Sequence, residues 1–110
     1  MVDMKELVFH RLFIPAMERW PDRRCVHDGD YHATFHEHSD RVLRLAHAMR
    51  RQLGMASDDR FAVMSCNNHQ YLELYHAGFL GAGIINPLNL RLAGAELQHI
   101  MRDSGSTVAF

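Results

Sequence analysis

Residues 60–87, RFAVMSCNNHQYLELYHAGFLGAGIINP, decide the fold. The apolar run Phe61–Ser65 is typical of a strand that is covered on both faces. The next segment, from His69 to about Leu80, is predicted to be a helix, because either of the two asparagines before it can cap a helix start. Ile84 and Ile85 then form a second short apolar run. This order predicts a βαβ unit in which the two strands run parallel and the crossover is right-handed.

The chain after this unit continues the alternation. Residues Glu96–Asp103 are predicted to form a helix with Leu97, Ile100 and Met101 facing inward. Thr107–Phe110 then begins a further strand. The second half therefore runs strand, helix, strand, helix, strand, which predicts an α/β fold with a doubly wound parallel layer and helices on both sides.

The N-terminal part is predicted to form a helix and then a small β-hairpin. Between Asp3 and Trp20 the apolar residues recur at helical spacing; they are Phe9, Leu12, Phe13, Ala16 and Trp20. Pro15 is expected to kink or split this helix, because proline removes a backbone donor and clashes with the previous turn. Two short strands, Arg24–His27 and His32–Phe35, are predicted to follow, with a hairpin turn at Gly29.

A second helix is predicted to begin at a capping box. Thr34 and Glu37 have the spacing at which a hydroxyl and a carboxylate satisfy the free amides of a helix start. The helix is expected to extend to about Leu53, and Gly54 supplies its C-terminal stop. Its predicted inward stripe consists of Val42, Leu45, Ala46, Met49 and Leu53.

Composition argues against several functional classes. The 110 residues are 47% hydrophobic with a net charge of −1, and they lack the clustered basic face that nucleic-acid binding requires. Charged residues at the start argue against a signal peptide, and no apolar run is long enough to span a membrane. Cys25 and Cys66 are too few for a disulfide framework, which favours free thiols in a reduced, cytoplasmic setting. Cys66 is expected to be a buried structural residue.

The nine histidines do not form a recognisable metal site. Only His32, His36 and His38 are clustered, and a zinc site requires more ligands at regular spacing. We therefore expect no metal site in this sequence. A further stripe, formed by Tyr71, Leu74, Tyr75 and Phe79, could line an acyl channel, but core packing is favoured.

The residues at the turns are similar to those of a known family. Ala33–Glu37 resembles the first core motif of acyl-CoA synthetases such as fatty-acid–CoA ligases, which belong to the adenylate-forming, AMP-binding superfamily. Arg60–Met64, followed by Asn67, resembles a second segment of that family, and Leu80–Asn89 resembles its second core motif. Shorter matches follow at Leu88–Leu92, Glu96–Leu97, His99–Ile100 and Asp103–Gly105. The resemblance extends from about Phe9 to Phe110 and implies that residues 1–110 are an incomplete N-terminal portion of an AMP-binding domain.

The resemblance implies a two-step ligase reaction. A fatty acid or another carboxylic acid attacks Mg-ATP to give an acyl-adenylate, and CoA then displaces AMP to give a thioester. The family uses a Ser/Thr/Gly-rich loop ending in Pro-Lys, an aromatic-Gly-x-Thr-Glu motif, a ribose-binding Asp and a late lysine. None of these occurs here, and Lys5 is the only lysine. The chain alone is therefore expected to have no catalytic residue, no activity and no tightly bound cofactor, and Gly78–Gly83 is expected to serve close packing.

Arg91 is the residue for which the resemblance implies a ligand contact. Related ligases place an arginine in the Asn-x-Arg-Leu turn against CoA phosphates, and a guanidinium suits phosphate recognition. The alternative is a surface arginine that pairs with Glu96 or only solvates the loop. Asn89 is expected to fix the turn.

Other interpretations of the whole chain stay open. An adenylation domain or acyl-AMP ligase that loads a carrier protein would share the same motifs. A standalone flavodoxin-like module is disfavoured, because the strand ends lack the acids of a phospho-receiver. A truncated interaction or oligomerisation unit is a third possibility, and its uncovered apolar faces would favour self-association.

Overall fold

The computed structural model describes residues 8–110, and it confirms the predicted α/β order. Along the chain the elements are α1 (Phe9–Arg19), β1 (Arg24–Asp28), β2 (Tyr31–Thr34), α2 (Phe35–Arg51), β3 (Arg60–Val63), α3 (His69–Ala77), a π-helical turn (Gly78–Ala82), β4 (Ile84–Pro87), α4 (Gly94–Ser104) and β5 (Ser106–Ala109). β1 and β2 form an antiparallel hairpin, and β3, β4 and β5 form a parallel sheet.

The parallel sheet has β3 at its centre, in the order β4-β3-β5. Phe61 of β3 pairs with Ile85 on one side and with Val108 on the other. The chain thus moves outward from β3 to β4 and then returns across β3 to β5. With right-handed crossovers, this reversal places α3 and α4 on opposite faces of the sheet. The reversal also creates a switch point at the carboxyl ends of β3 and β5, which is where open α/β sheets bind ligands.

The core lies between β3 and the helices α2 and α3. Phe61, Ala62 and Val63 are fully buried, as expected of a central strand that is covered on both faces. Val42, Ala46 and Met49 of α2 are buried against it, as predicted. Leu53 is 48% exposed, so the prediction that it faces inward is wrong. The reason is that α2 ends at Arg51, and Leu53 lies in the turn that follows.

The first helix passes through its proline without a break. α1 is continuous from Phe9 to Arg19 with Pro15 inside it, so of the two expected effects the split does not occur. The helix ends before Pro21, with Trp20 as its C-cap. The predicted part between Asp3 and Leu7 lies outside the described residues.

The local signals around the hairpin and α2 are confirmed. Gly29, at φ +57°, lies in the turn between β1 and β2. The backbone N–H of Glu37 donates to Oγ1 of Thr34 at 3.2 Å, and Glu37 Oε2 accepts from the backbone N–H of Thr34 at 2.8 Å. This reciprocal capping box begins α2 at Phe35, which the sequence had placed at the end of the second strand.

The helix α3 has a side-chain cap at its N-terminus, whereas α4 does not. Oδ1 of Asn68 accepts from the backbone N–H of Tyr71 at 2.8 Å and begins α3. Ala93 precedes α4 and has no side-chain acceptor, although its backbone N–H donates to Glu96 at 2.8 Å. None of the residues of α4 is fully buried, and Leu97, Ile100 and Met101 are only half-buried.

Candidate functional site

Arg91 lies on the surface, in the loop between β4 and α4. Its backbone N–H donates to Oδ1 of Asn89 at 2.9 Å, so Asn89 fixes this turn as expected. Glu96 caps α4 at Ala93 and forms no ion pair with Arg91 within residues 8–110. Arg91 is exposed in this loop.

The glycine-rich segment Gly78–Gly83 is packed against the core. A Cβ added at Gly83, where φ is +151°, would lie 3.0 Å from the ring of Phe61 and from the carbonyl oxygen of Asp59. A Cβ at Gly78 would lie 3.4 Å from the same ring. The carbonyl oxygen of Gly81 accepts from Nη2 of Arg50 at 2.9 Å. This segment does not fit a phosphate cradle, because its glycines serve close packing and its carbonyl oxygens face a cation.

A polar cleft of about 230 Å³ opens beyond the carboxyl end of β3. It is lined by Val26, His27, Asp28, Asn67, Asn68, His69 and Leu72. Asp28 accepts hydrogen bonds from Nδ1 of His69 at 2.8 Å and from the backbone N–H of His69 at 2.9 Å. The hydrogen bond from the imidazole, followed by the one from the backbone, holds the pKa of Asp28 below its usual range.

Asp28 fixes the ring of His69 in one orientation. Nδ1 carries the proton that is donated to the carboxylate. Nε2 is therefore the ring nitrogen that remains for a further hydrogen bond. Tyr31 stacks on the ring of His69, with the centroids 3.7 Å apart and an interplanar angle of 13°. An oriented imidazole beside two asparagine amides can hydrogen-bond a polar ligand. Among residues 8–110, the cleft lining includes no lysine, serine or threonine to stabilise a triphosphate.

No local sequence motif indicates this cleft. Asp28 and His69 are 41 positions apart, and neither belongs to a local motif. The one available signal was the position of the asparagines directly after a predicted buried strand, since the carboxyl ends of such strands form the ligand-binding edge of an α/β sheet.

The Tyr71–Phe79 stripe divides between the core and the surface. Leu74 is buried, whereas Phe79 is 50% exposed. Tyr71 and Tyr75 are half-buried and border an open cleft of about 380 Å³ beside Asn68. The prediction of core packing therefore holds for Leu74 and not for Phe79.

The cysteines are free, and the clustered histidines separate. Cys66 is exposed, so its predicted burial is wrong, because Cys66 lies in the loop beyond the end of β3. Cys25 is half-buried, and desolvation raises the pKa of its thiol.

His32 packs against His27, whereas His38 points into the interior. In the described part of the chain, no group of three or more His, Cys, Asp or Glu side chains could hold a metal ion.

The fold is an α/β layer around a three-stranded parallel sheet, and comparison with known proteins assigns its family. The AMP-binding enzyme family matches residues 13–110. The chain therefore belongs to the AMP-binding enzyme family.

Among curated relatives, feruloyl-CoA synthase of Amycolatopsis sp. is 40% identical over 81% of this chain and 20% of its own length. The fatty acid–[acyl-carrier-protein] ligase ScoC of Streptomyces coeruleorubidus is 33% identical over 61% of this chain and 13% of its own. The structure of a putative long-chain-fatty-acid CoA ligase from Rhodopseudomonas palustris superimposes with a TM-score of 0.86 at 25% identity, covering 97% of this chain and 27% of that one. The chain thus spans about a fifth of the length of the feruloyl-CoA synthase that it matches. No helix within residues 8–110 is long and apolar enough to cross a membrane.

Proposed function

We propose that this chain is the N-terminal segment of an ATP- and Mg²⁺-dependent ligase that joins a fatty acid or another hydrophobic carboxylic acid to CoA. The observation that supports this most strongly is the 40% identity to feruloyl-CoA synthase. The fold likeness to the Rhodopseudomonas palustris protein points to the same class. We also propose a cytoplasmic location, because Cys25 and Cys66 are free.

In the proposed reaction the carboxylate oxygen attacks the α-phosphorus of ATP. The bond between the α-phosphorus and its bridging oxygen breaks, and pyrophosphate leaves. The CoA thiol then loses its proton and attacks the acyl carbon, and AMP leaves with the electron pair of the carbon–oxygen bond. Mg²⁺ neutralises phosphate charge in the first step.

Within this scheme the segment has a structural role and one candidate ligand contact. Gly78 and Gly83 pack against Phe61, and residues 8–110 contain no lysine to stabilise an adenylating transition state. Arg91 is the candidate contact for a CoA phosphate. We therefore propose that residues 1–110 alone do not catalyse adenylation.

A ligase that loads a carrier protein is the second candidate. The 33% identity to ScoC favours it, because the name of that enzyme specifies an acyl-carrier protein as acceptor. The two candidates share the first half-reaction and differ only in the thiol that accepts the acyl group.

Assays of the product of the complete reading frame would separate the candidates. A panel of fatty and aromatic acids would be incubated with Mg-ATP and either CoA or a phosphopantetheinylated carrier protein. We expect carboxylate-dependent release of pyrophosphate and an acyl-CoA product. Acylation of the carrier protein without acyl-CoA would establish the second candidate, and no acid-dependent pyrophosphate release would overturn both. The 110-residue chain, assayed alongside, is expected to be inactive.

A further inference from the structure

Two histidines meet in the interior, where three helices come together. His38 on α2 is 1% exposed, and its Nε2 lies 2.7 Å from Nδ1 of His76 on α3. The ring of Phe13 on α1 lies 5.9 Å from that of His38 and 5.4 Å from that of His76, measured between centroids. Phe9 of α1 lies 4.4 Å from the ring of His76. The histidine pair, His38 and His76, therefore lies at the junction of α1 with α2 and α3.

The surroundings determine how the neutral histidine pair shares its protons. Nδ1 of His38 is buried and has no hydrogen-bond partner among residues 8–110. A buried N–H without an acceptor is costly, so Nδ1 is best left unprotonated. His38 then carries its proton on Nε2 and donates it to Nδ1 of His76. His76 in turn carries its own proton on Nε2.

An additional proton would either leave a buried N–H of His38 unpaired or disrupt the hydrogen bond between the two rings. On His38 the proton would occupy Nδ1, which has no acceptor. On His76 it would occupy Nδ1 and face the Nε2 proton of His38 across 2.7 Å. In agreement, burial lowers the pKa of His38, and burial together with His38 lowers the pKa of His76 to about 4.

The charged neighbours do not offset this effect. Glu73 of α3 favours the cation on His38, but it accepts two hydrogen bonds from Arg41, at 2.6 and 3.1 Å, and Arg41 disfavours that cation. The contacts from α1 to the histidine pair are made by the aromatic rings of Phe9 and Phe13, and His10 and Arg11 are exposed. The π-helical turn contributes the ring of Phe79 and has no titratable group.

We propose that the histidine pair is a pH-sensitive contact that holds α1 against α2 and α3 while both rings are neutral, and that releases α1 when the pair gains a proton. Of the three helices that meet at the histidine pair, α1 should open first, because none of its residues is fully buried whereas α2 and α3 both have buried residues. Weakly packed elements open at low free-energy cost.

The direction of the pH effect follows from the lowered pKa values. The unfolded or released form of each histidine binds protons more readily than the packed form. The stabilising contribution is therefore complete above the usual histidine pKa of about 6.5. It is lost as the pH falls from there towards about 4, the folded-state pKa of His76.

Two NMR measurements on the 110-residue chain test the proposal. The first follows the ring resonances of all histidines between pH 8 and pH 4; those of His38 and His76 are expected to titrate at lower pH than those of the exposed His36 and His47. The second compares amide-exchange protection in α1 with that in α4, which does not contact the histidine pair. Between pH 7 and pH 5, protection in α1 should fall about 10-fold more than in α4.

Matched variants separate the histidine pair from a general effect of acid. His76→Phe keeps an aromatic ring and removes the titrating group, so the extra pH-dependent loss in α1 should disappear. His76→Gln serves the same purpose if phenylalanine is not accommodated, because its amide oxygen can accept from His38. His47→Gln, on the exposed face of α2, should behave like the parent chain. Ring titration of His38 and His76 together with the exposed histidines, or equal loss of protection in α1 and α4, would overturn the proposal.

Discussion

At the scale of single residues, the buried carboxylate of Glu73 depends on its ion pair with Arg41. Glu73 is 5% exposed, and Arg41 binds both of its oxygens. Arg44 also forms an ion pair, with Asp40 at 3.0 Å, but both of those side chains are largely exposed. Removing one partner of a buried pair leaves an uncompensated charge, whereas exposed pairs contribute little.

We therefore expect Arg41→Ala to destabilise the chain by about 2–3 kcal/mol, which is reduced from the usual range because Arg41 is itself partly exposed. Arg44→Ala, one turn away on the same helix, should cost no more than about 0.5 kcal/mol. Urea unfolding followed by circular dichroism measures both free energies of unfolding. Equal losses in the two variants would show that burial of Glu73 does not determine the cost.

Arg91 provides a prediction about binding. In the complete enzyme, Arg91→Ala should raise the KM for CoA about 10-fold or more, because a charge-assisted hydrogen bond to phosphate is lost, with the KM for ATP unchanged. Arg102→Ala, at an exposed site in the last turn of α4, is the matched control. The proposed contact would be excluded by a KM for CoA that responds equally to both substitutions.

Residues that act through local spacing were predictable, and residues that meet across the fold were not. Thr34 with Glu37, and Asn89 with its turn, were found from the sequence because each interaction spans only a few positions. Arg41 and Glu73 are 32 positions apart, and His38 and His76 are 38 apart. Their pairing depends on how α2 packs against α3, which no local pattern encodes.

At the scale of elements, the helices differ in how completely their N-termini are capped. α2 has a complete capping box and α3 has Asn68, whereas α4 begins at Ala93 with only the reciprocal bond to Glu96. The continuity of α1 through Pro15 shows the limit of such local rules. Proline weakens a helix at one turn, but packing of that helix against its neighbours can keep it intact.

The missing half of the capping box on α4 can be restored. Ala93 has extended backbone angles, φ −70° and ψ 158°, so a serine there could accept from a backbone N–H in the first turn. We expect Ala93→Ser to stabilise the chain by about 0.5–1 kcal/mol. Ala95→Ser adds the same hydroxyl inside the helix and should give no gain. Thermal unfolding compares the two, and the capping argument fails if Ala93→Ser melts no higher than Ala95→Ser.

At the scale of the whole molecule, the parallel sheet is open on both sides. Within the part of the chain that the structure describes, β4 and β5 each pair only with β3, and α4 buries none of its residues fully. The radius of gyration is 15.4 Å, compared with about 13 Å for a compact domain of this length. Large apolar side chains are correspondingly exposed around the surface, among them Leu12, Leu43, Phe79, Ile84, Leu90 and Phe110.

Exposed apolar surface of this extent favours association between copies of the chain. We expect light scattering after size-exclusion chromatography to give a mass above the 12.7 kDa of one chain, rising with protein concentration. Leu43 is 55% exposed and borders an apolar groove between α1 and α2, together with Phe13 and Leu80. Leu43→Lys should therefore lower the apparent mass, whereas His47→Lys, on an exposed site one turn further along α2, should not. A monomer mass at every concentration would mean that the open edges and apolar groove do not drive self-association, and that the chain is sufficient as a folded unit in solution.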